Sequence, residues 1–163
     1  MNNKARLDMG KVAIVGPLRT ENLGVEKIVA NIISNPNIRY LIIWGEEIVG
    51  HHAGQSLISL WKNGIDKDGR ITGAKGAVPY IENLDEEAIS RFRQQIEVVD
   101  MLGTVDINSL NEKVAELASK EILSFGTPYI ALNLVKKKKI TANVIERYAL
   151  HKDFKITSYL EIY

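Results

Sequence analysis

Two adjacent histidines, His51 and His52, are the residues of this chain with the clearest potential for chemistry. They lie between glycines in the stretch GEEIVGHHAGQ, and the chain has three histidines in all. A neutral imidazole is a common metal ligand and a general acid or base near neutral pH. Glu46 or Glu47 can assist His51 in proton transfer, whereas a zinc site lacks enough ligands. A histidine at a helix start is also commonly solvated or capping, so position alone leaves these alternatives open.

The composition narrows the classes of function. The 163 residues are 45% hydrophobic, carry a formal net charge of +1 and include no cysteine. The lack of cysteine excludes disulfides, thiolate metal sites and a cysteine nucleophile, and it fits a cytoplasmic location. The near-neutral charge disfavours nucleic acid as a partner. No stretch approaches the ~20 apolar residues that span a bilayer, so we expect a soluble protein without a membrane span or a signal peptide.

The histidines must be positioned by elements that alternate between strands and helices. Val12–Val15 and Tyr40–Trp44 are short apolar runs, which predict buried strands of a parallel sheet. Residues 25–33 and 53–61 have apolar stripes at helical spacing, which predict amphipathic helices. Residues 70–74 predict a short third strand.

The remaining part of the chain is predicted to be mainly helical. Asp85 is a candidate N-cap for a helix whose apolar stripe continues through Ile96 and Val99, and a further helix is predicted over residues 106–124. Residues 127–135 contain a candidate strand. We therefore predict an α/β fold, with a Rossmann-like parallel sheet, helices on both faces and a cofactor crevice at the C-terminal ends of the strands. This domain is expected to cover residues 1–135, and residues 136–163 form an extension with a strand.

Three loops rich in glycine follow the predicted strands, at residues 16–24, 45–54 and 73–80. The histidine pair lies in the middle loop. If Ala53, Leu57 and Leu60 face the sheet, helical geometry places His51, Gln55 and Ile58 on the opposite side. His51 and Gln55 are therefore expected near the N-terminus of a helix at the rim of the crevice.

Several motifs bear on the chemistry of these loops. The chain has no Gly-x-Ser-x-Gly, so no serine triad is indicated, and no Gly-x-Gly-x-x-Gly follows the first strand. An α/β enzyme that uses a nucleotide remains one alternative because of the glycine loops. Residues 51–54 fit His-x-x-Gly, part of the Asp-x-His-x-x-Gly signature of many cobalamin-binding domains, with Val49 in place of the aspartate. A corrinoid needs only one protein imidazole.

Longer stretches carry a more specific resemblance. They are TENLGVEK at residues 20–27, IISNPNIRYL at 32–41, GEEIVGHHAGQ at 45–55 and GAKGAVPYIENL at 73–84. The chain from about Val12 to about Asp106 closely resembles the A subunit of tetrahydromethanopterin S-methyltransferase, the corrinoid-carrying component of a membrane complex in methanogenic archaea. The resemblance implies methanogenesis and one-carbon metabolism: methyl transfer from methyl-tetrahydromethanopterin to coenzyme M, a cobamide cofactor containing cobalt, and partner methyltransferase subunits.

The resemblance also implies roles for individual residues. His51 matches the histidine that serves as the lower axial ligand of cobalt, whereas His52 falls at a variable position. Thr20, Asn22 and Gln55 can supply polar contacts, although Thr20 and Asn22 can instead cap the following helix. No catalytic residue is assigned. The residues expected to bind the cofactor are His51, Gln55, Gly54, Gly50, Gly16, Pro17, Leu18, Thr20, Asn22, Gly24, Gly45, Glu46, Gly73, Ala74, Gly76, Pro79 and Tyr80.

The C-terminal part departs from the family pattern. Lys136–Lys139 and a strand-like tail stand where the family's members usually have a hydrophobic anchor. We therefore expect a homologue without the anchor that acts as a methyl carrier and component of a methyltransferase, with a homodimer as one allowed assembly. The alternative is a binding or regulatory module that retains the fold without the cofactor.

Overall fold

A computed structural model of the protein describes residues 6–131. After a short 3₁₀ helix at Met9–Lys11, the elements along the chain are α1 (Leu23–Ile33), β1 (Tyr40–Gly45), α2 (Ala53–Asn63), α3 (Glu86–Gln95), β2 (Glu97–Leu102) and α4 (Ile107–Ala118). The α/β class is therefore confirmed. The predicted boundary at residue 135 and the extension 136–163 lie outside the described residues.

The two strands form a parallel pair. Tyr40 lies opposite Glu97, and the register continues to Gly45 opposite Leu102. Parallel neighbours require a crossover, which here contains α2 and α3. Within residues 6–131 the sheet has these two strands, so the larger Rossmann-like sheet and its crevice stay predictions.

The predicted strand at Val12–Val15 is wrong. This segment belongs to no strand, and the side chains of Ile14 and Val15 are 53% and 59% exposed. A run of apolar residues indicates strand propensity, but a strand also requires a partner to hydrogen-bond its backbone. No strand of the described part of the chain pairs with this segment.

The predicted third strand at residues 70–74 is also wrong. Two isolated bridges, Ile65 to Ile71 and Arg70 to Tyr80, replace it. Gly73 has φ of +83°, which breaks the extended backbone that a longer ladder needs. The described residues at 127–131 form no strand, and the rest of the candidate strand 127–135 lies outside the described part.

The prediction for the second half of the chain needs two corrections. Asp85 caps α3 as expected, but the helix ends at Gln95 and Ile96 is already extended. Val99 therefore lies in β2, a strand that the helical stripe concealed because its apolar residues continue the spacing of the helix. The next helix ends at Ala118 rather than at residue 124.

The core lies between α1, α2, α3 and one face of the sheet. A buried amide connects two of these layers: the Gln95 side chain donates to the carbonyl oxygens of Ile32 (2.9 Å), Asn35 (3.0 Å) and Ile38 (3.1 Å). Gln95 thereby holds the end of α1 against α3. The fully buried apolar side chains include Val25, Val29, Ile33, Leu57, Leu60, Ile71, Ala88 and Phe92.

None of the helices in residues 6–131 combines the length and the apolar character that crossing a membrane requires.

Candidate functional site

The loop that carries His51 connects β1 to α2 through a tight turn. Gly45 and Gly50 have φ of +104° and +87°, a region that glycine enters without steric cost. The Ile48 carbonyl accepts hydrogen bonds from the amides of His51 (3.1 Å) and His52 (3.2 Å). His51 therefore precedes α2, rather than lying on its outer face as the helical geometry predicted.

The ring of His51 is held by a carboxylate from another loop. Its Nδ1 lies 2.9 Å from Oε2 of Glu21, a side chain that is only 3% exposed, whereas the His51 side chain is 51% exposed. Burial raises the pKa of Glu21, but hydrogen bonds from the amide of Val78, its own amide and His51 outweigh burial and hold that pKa below its ordinary value. Glu21 is therefore an acceptor at neutral pH, and the Nδ1–H of His51 donates to it.

The second oxygen of Glu21 holds the third loop. Oε1 accepts from the Val78 amide at 3.0 Å. The buried Gly76 lies against the same group: a Cβ at this position would be 2.4 Å from the carbonyl oxygen of His51 and 2.7 Å from Cγ of Glu21. Only glycine permits this approach, so the three loops meet at Glu21, His51 and Gly76.

Gln55 joins α2 to the third loop. Its Nε2 donates to the hydroxyl of Ser59 (2.8 Å) and to the carbonyl of Gly73 (3.0 Å), and its Oε1 accepts from the Lys75 amide (2.9 Å). The structure thus assigns Gln55 to fixing the loop, a role the sequence did not predict.

Among residues 6–131 only the Nδ1 of the His51 ring has a hydrogen-bond partner, so Nε2 is the ring atom available to a ligand. A metal-binding histidine typically donates its other ring N–H to a carboxylate, which fixes the tautomer and orientation. Glu21 provides this support, and a Cβ at neighbouring Gly45 or Gly50 would contact nothing within 4 Å. These residues would fit a single imidazole ligand to a metal within a bulky cofactor. Within residues 6–131 no cluster of three or more histidine or acidic side chains is arranged to hold a bare metal ion.

The other predicted site residues fall into three groups. Thr20 and Asn22 are helix caps: Thr20 accepts from the Gly24 amide (2.9 Å) and Asn22 from the Leu23 amide (2.7 Å). Gly16, Pro17 and Glu46 are exposed, and nothing would contact a Cβ on Gly16. The residues that pack in the interior or at its edge are Leu18, Gly54, Ala74, Pro79 and Tyr80.

Two expectations about the surroundings of His51 and α2 change with the structure. The carboxylate partner of His51 is Glu21 and not Glu46 or Glu47. Glu47 instead accepts from the amides of Gly54 and Gln55. Ile58, expected on the outer face of α2, is 7% exposed, because loops and helices cover α2 on nearly every side.

Glu21 is the functional candidate that sequence reasoning missed. It is separated from His51 by 30 residues and lies between two helix caps, where an acid is unremarkable. No local spacing relates the two side chains. The one indication in the sequence was that Glu21 lies in TENLGVEK, a stretch that carries the family resemblance. That resemblance did not distinguish the glutamate from its neighbours.

Comparisons with known proteins give a consistent result. The family of tetrahydromethanopterin S-methyltransferase A subunits (MtrA) matches residues 1–142. The A subunit of the methyltransferase of that name from Methanosarcina barkeri is 57% identical over 115 residues, 71% of this chain and 47% of the relative. The A subunit from Methanohalobium evestigatum is 50% identical over 135 residues, 82% and 55% of the two chains.

A further relative is the A subunit numbered 2 from Methanothermobacter thermautotrophicus. It is 54% identical over 105 residues, which is 64% of this chain and 57% of the relative. The chain thus spans about half the length of the curated relatives it matches.

Proposed function

The chain belongs to the MtrA family, the A subunits of tetrahydromethanopterin S-methyltransferase, and from this premise we propose that it is a corrinoid-binding methyl carrier. The proposed reaction passes a methyl group from methyl-tetrahydromethanopterin towards coenzyme M with the help of partner subunits. A single observation carries the proposal: a half-exposed histidine whose Nδ1 is held by a buried carboxylate, which leaves Nε2 for a metal.

The contribution of the protein is to hold one imidazole in a defined state. The chemistry that a bound corrinoid supplies is acceptance and release of a methyl group at cobalt. His51 would hold the cobalt through Nε2, and Glu21 accepts from the Nδ1–H on the other side of the ring. Because Glu21 is an acceptor, it increases the basicity of the ring and would strengthen a bond from Nε2 to a bound metal.

Glycines give the cofactor access to His51. Gly45 and Gly50 present backbone without side chains beside the histidine, and the exposed loop residue Val49 adds an apolar surface. Of the loop residues, His51, Gly50 and Gly16 are exposed and Gly45 is half-buried, and these positions favour direct contact with the cofactor. Thr20, Asn22 and Gln55 support the loops without contacting the cofactor, because their polar atoms are hydrogen-bonded within the protein. We place this site at the C-terminal end of a Rossmann-like sheet.

The test is a titration of the apoprotein with aquocobalamin, followed by visible absorption. The wild-type protein is expected to give a saturable spectral shift, and His51→Ala is expected to abolish it. His52→Asn is the matched control: it removes the neighbouring imidazole and keeps a residue that tolerates the left-handed backbone at position 52 (φ +47°).

The possible results separate the proposals. A shift in the wild type and in His52→Asn that is lost in His51→Ala establishes His51 as the axial ligand. A shift that survives in His51→Ala contradicts that role. A folded wild-type protein that takes up no corrinoid contradicts the carrier function and favours a module that retains the fold without the cofactor.

A further inference from the structure

Helix α2 begins without a conventional cap. Its N-cap residue, His52, has a left-handed backbone (φ +47°, ψ +45°), and its side chain makes no capping hydrogen bond. An ordinary N-cap residue is extended, and its side-chain oxygen accepts from the second or third amide of the helix. Another group must therefore satisfy the amides at this end of α2.

Glu47 supplies the missing cap from the other side of the loop. Its Oε2 accepts from the Gly54 amide at 3.2 Å, and its Oε1 accepts from the Gln55 amide at 2.5 Å. These are the second and third residues of α2, so Glu47 binds the amides that an N-cap side chain would bind. The carboxylate also lies at the positive end of the helix dipole.

The contacts of Glu47 close residues 48–52 into a ring. One end of the ring is the covalent chain at Glu47, and the other end is the first turn of α2, to which the Glu47 side chain is hydrogen-bonded. Inside the ring, the Ile48 carbonyl binds the amides of His51 and His52. The backbone of His51 is therefore fixed by a closed loop, and its ring can meet Glu21 at 2.9 Å.

A cap at position 52 would not produce the same loop. A serine or aspartate that caps from the N-cap position needs an extended backbone there, whereas the turn towards α2 uses the left-handed conformation of His52. Such a conformation persists in a residue other than glycine only where surrounding contacts impose it. Glu47 is the side chain whose contacts span this turn.

We propose that Glu47 is a positioning residue that presents His51 to its ligand. Glu47 is not assigned as a metal ligand; its hydrogen bonds to the amides of Gly54 and Gln55 set the loop geometry in which the Nδ1–H of His51 donates to Glu21. Its significance for binding rests on the proposed corrinoid function, but its effect on the histidine ring is a property of the protein alone.

The first measurement uses the apoprotein without cofactor. NMR spectra of ¹⁵N-histidine-labelled protein report which ring nitrogen of His51 carries the proton. They are recorded at about pH 8.5, two units above the pKa of histidine in model peptides. The wild type is expected to show the Nδ1–H form. Glu47→Gln keeps the side-chain volume but places an amide NH₂ against one helix amide. This variant is expected to shift His51 towards the mixture of Nδ1–H and Nε2–H tautomers that an exposed histidine has.

The second measurement is the affinity for aquocobalamin. Loss of a supporting residue around a metal ligand typically weakens binding about 10-fold or more, and we expect this for Glu47→Gln. Glu112→Gln is the matched control, because Glu112 is exposed on α4, lies outside the predicted cofactor site and makes no side-chain hydrogen bond within residues 6–131. Glu47→Asp is a second variant that keeps the charge but is too short to reach both amides.

The outcomes are distinct. If folded Glu47→Gln or Glu47→Asp retains the wild-type tautomer and an affinity within about twofold of wild type, the positioning role is overturned, even if the melting temperature falls. If the wild type binds no corrinoid, the carrier function fails, while the tautomer spectra still decide the role of Glu47.

Discussion

Replacement of Gly76 by alanine tests the meeting of the three loops most directly. The new Cβ would lie 2.4 Å from the carbonyl oxygen of His51, closer than the 3.0 Å below which such contacts are essentially never observed. The two loops must therefore separate by at least about 0.6 Å. The obstacle is backbone rather than a flexible side chain, so no rotamer change can relieve it.

The size of the effect follows from this forced displacement. Overpacking of a closely packed site typically costs about 1–3 kcal/mol. For a chain of this length, each kcal/mol corresponds to about 3 °C in melting temperature, so Gly76→Ala should lower it by about 3–9 °C. The displaced loop should also weaken the hydrogen bond between His51 and Glu21, which ¹⁵N-histidine spectra would detect.

Gly16→Ala provides the matched control. Both glycines have backbones outside the left-handed region, but a Cβ at Gly16 would meet nothing within 4 Å. This substitution should leave stability unchanged or raise it by up to about 1 kcal/mol, because alanine restricts the unfolded chain. Thermal melts followed by circular dichroism compare the two variants. A melting temperature for Gly76→Ala within about 1 °C of that for Gly16→Ala would refute the close approach of the third loop to His51.

Three further predictions concern buried polar groups. Hydrogen bonds lower the pKa of Glu21 against the opposing effect of burial, so the unfolded chain binds more protons there and wild-type stability should fall as the pH drops below the ordinary value of 4.5. Urea melts from pH 6 to pH 3 should show a shallower loss for Glu21→Gln, and equal slopes would contradict the prediction. Gln95→Leu should cost about 3 kcal/mol, because it removes three hydrogen bonds to carbonyls of α1 and the following turn, each worth about 1 kcal/mol. Gln94→Leu, at the exposed neighbour, should change stability by less than about 0.5 kcal/mol, and similar losses for the two variants would contradict the prediction. Ser56 has a buried hydroxyl with no partner among the described residues, so Ser56→Ala should be neutral or stabilising by about 1 kcal/mol. Ser59→Ala should instead destabilise the protein, because that hydroxyl accepts from Gln55. Denaturant melts that found Ser59→Ala more stable than Ser56→Ala would contradict this prediction.

The sequence by itself determined the regular elements that depend on local patterns. The apolar stripes of α1 and α2, the acidic start of α3 at Asp85 and the apolar run of β1 identify those elements, because periodicity and capping are encoded within a few residues. The resemblance of the loops to one family also selected His51 before any geometry was known. The comparisons confirm that family.

Where sequence patterns failed, the deciding contacts were distant in the chain. Val12–Val15 has strand propensity, but its backbone has no strand to pair with in the described part. Ile96 and Val99 continue a helical spacing, but pairing with β1 made residues 97–102 a strand. A strand forms only when a partner strand hydrogen-bonds to its backbone, and local sequence does not specify that partner.

Only the tertiary structure decided how His51 is held. The spacing in the sequence placed Glu46 and Glu47 beside His51. In the folded chain the His51 ring is instead hydrogen-bonded to Glu21, 30 residues away, and Glu47 caps α2. Gly76 approaches His51 from a third loop without any signal in its own neighbourhood. Sequence names the groups that can do chemistry, and the packing of loops against one another determines which groups touch, because hydrogen bonds depend on positions in space rather than along the chain.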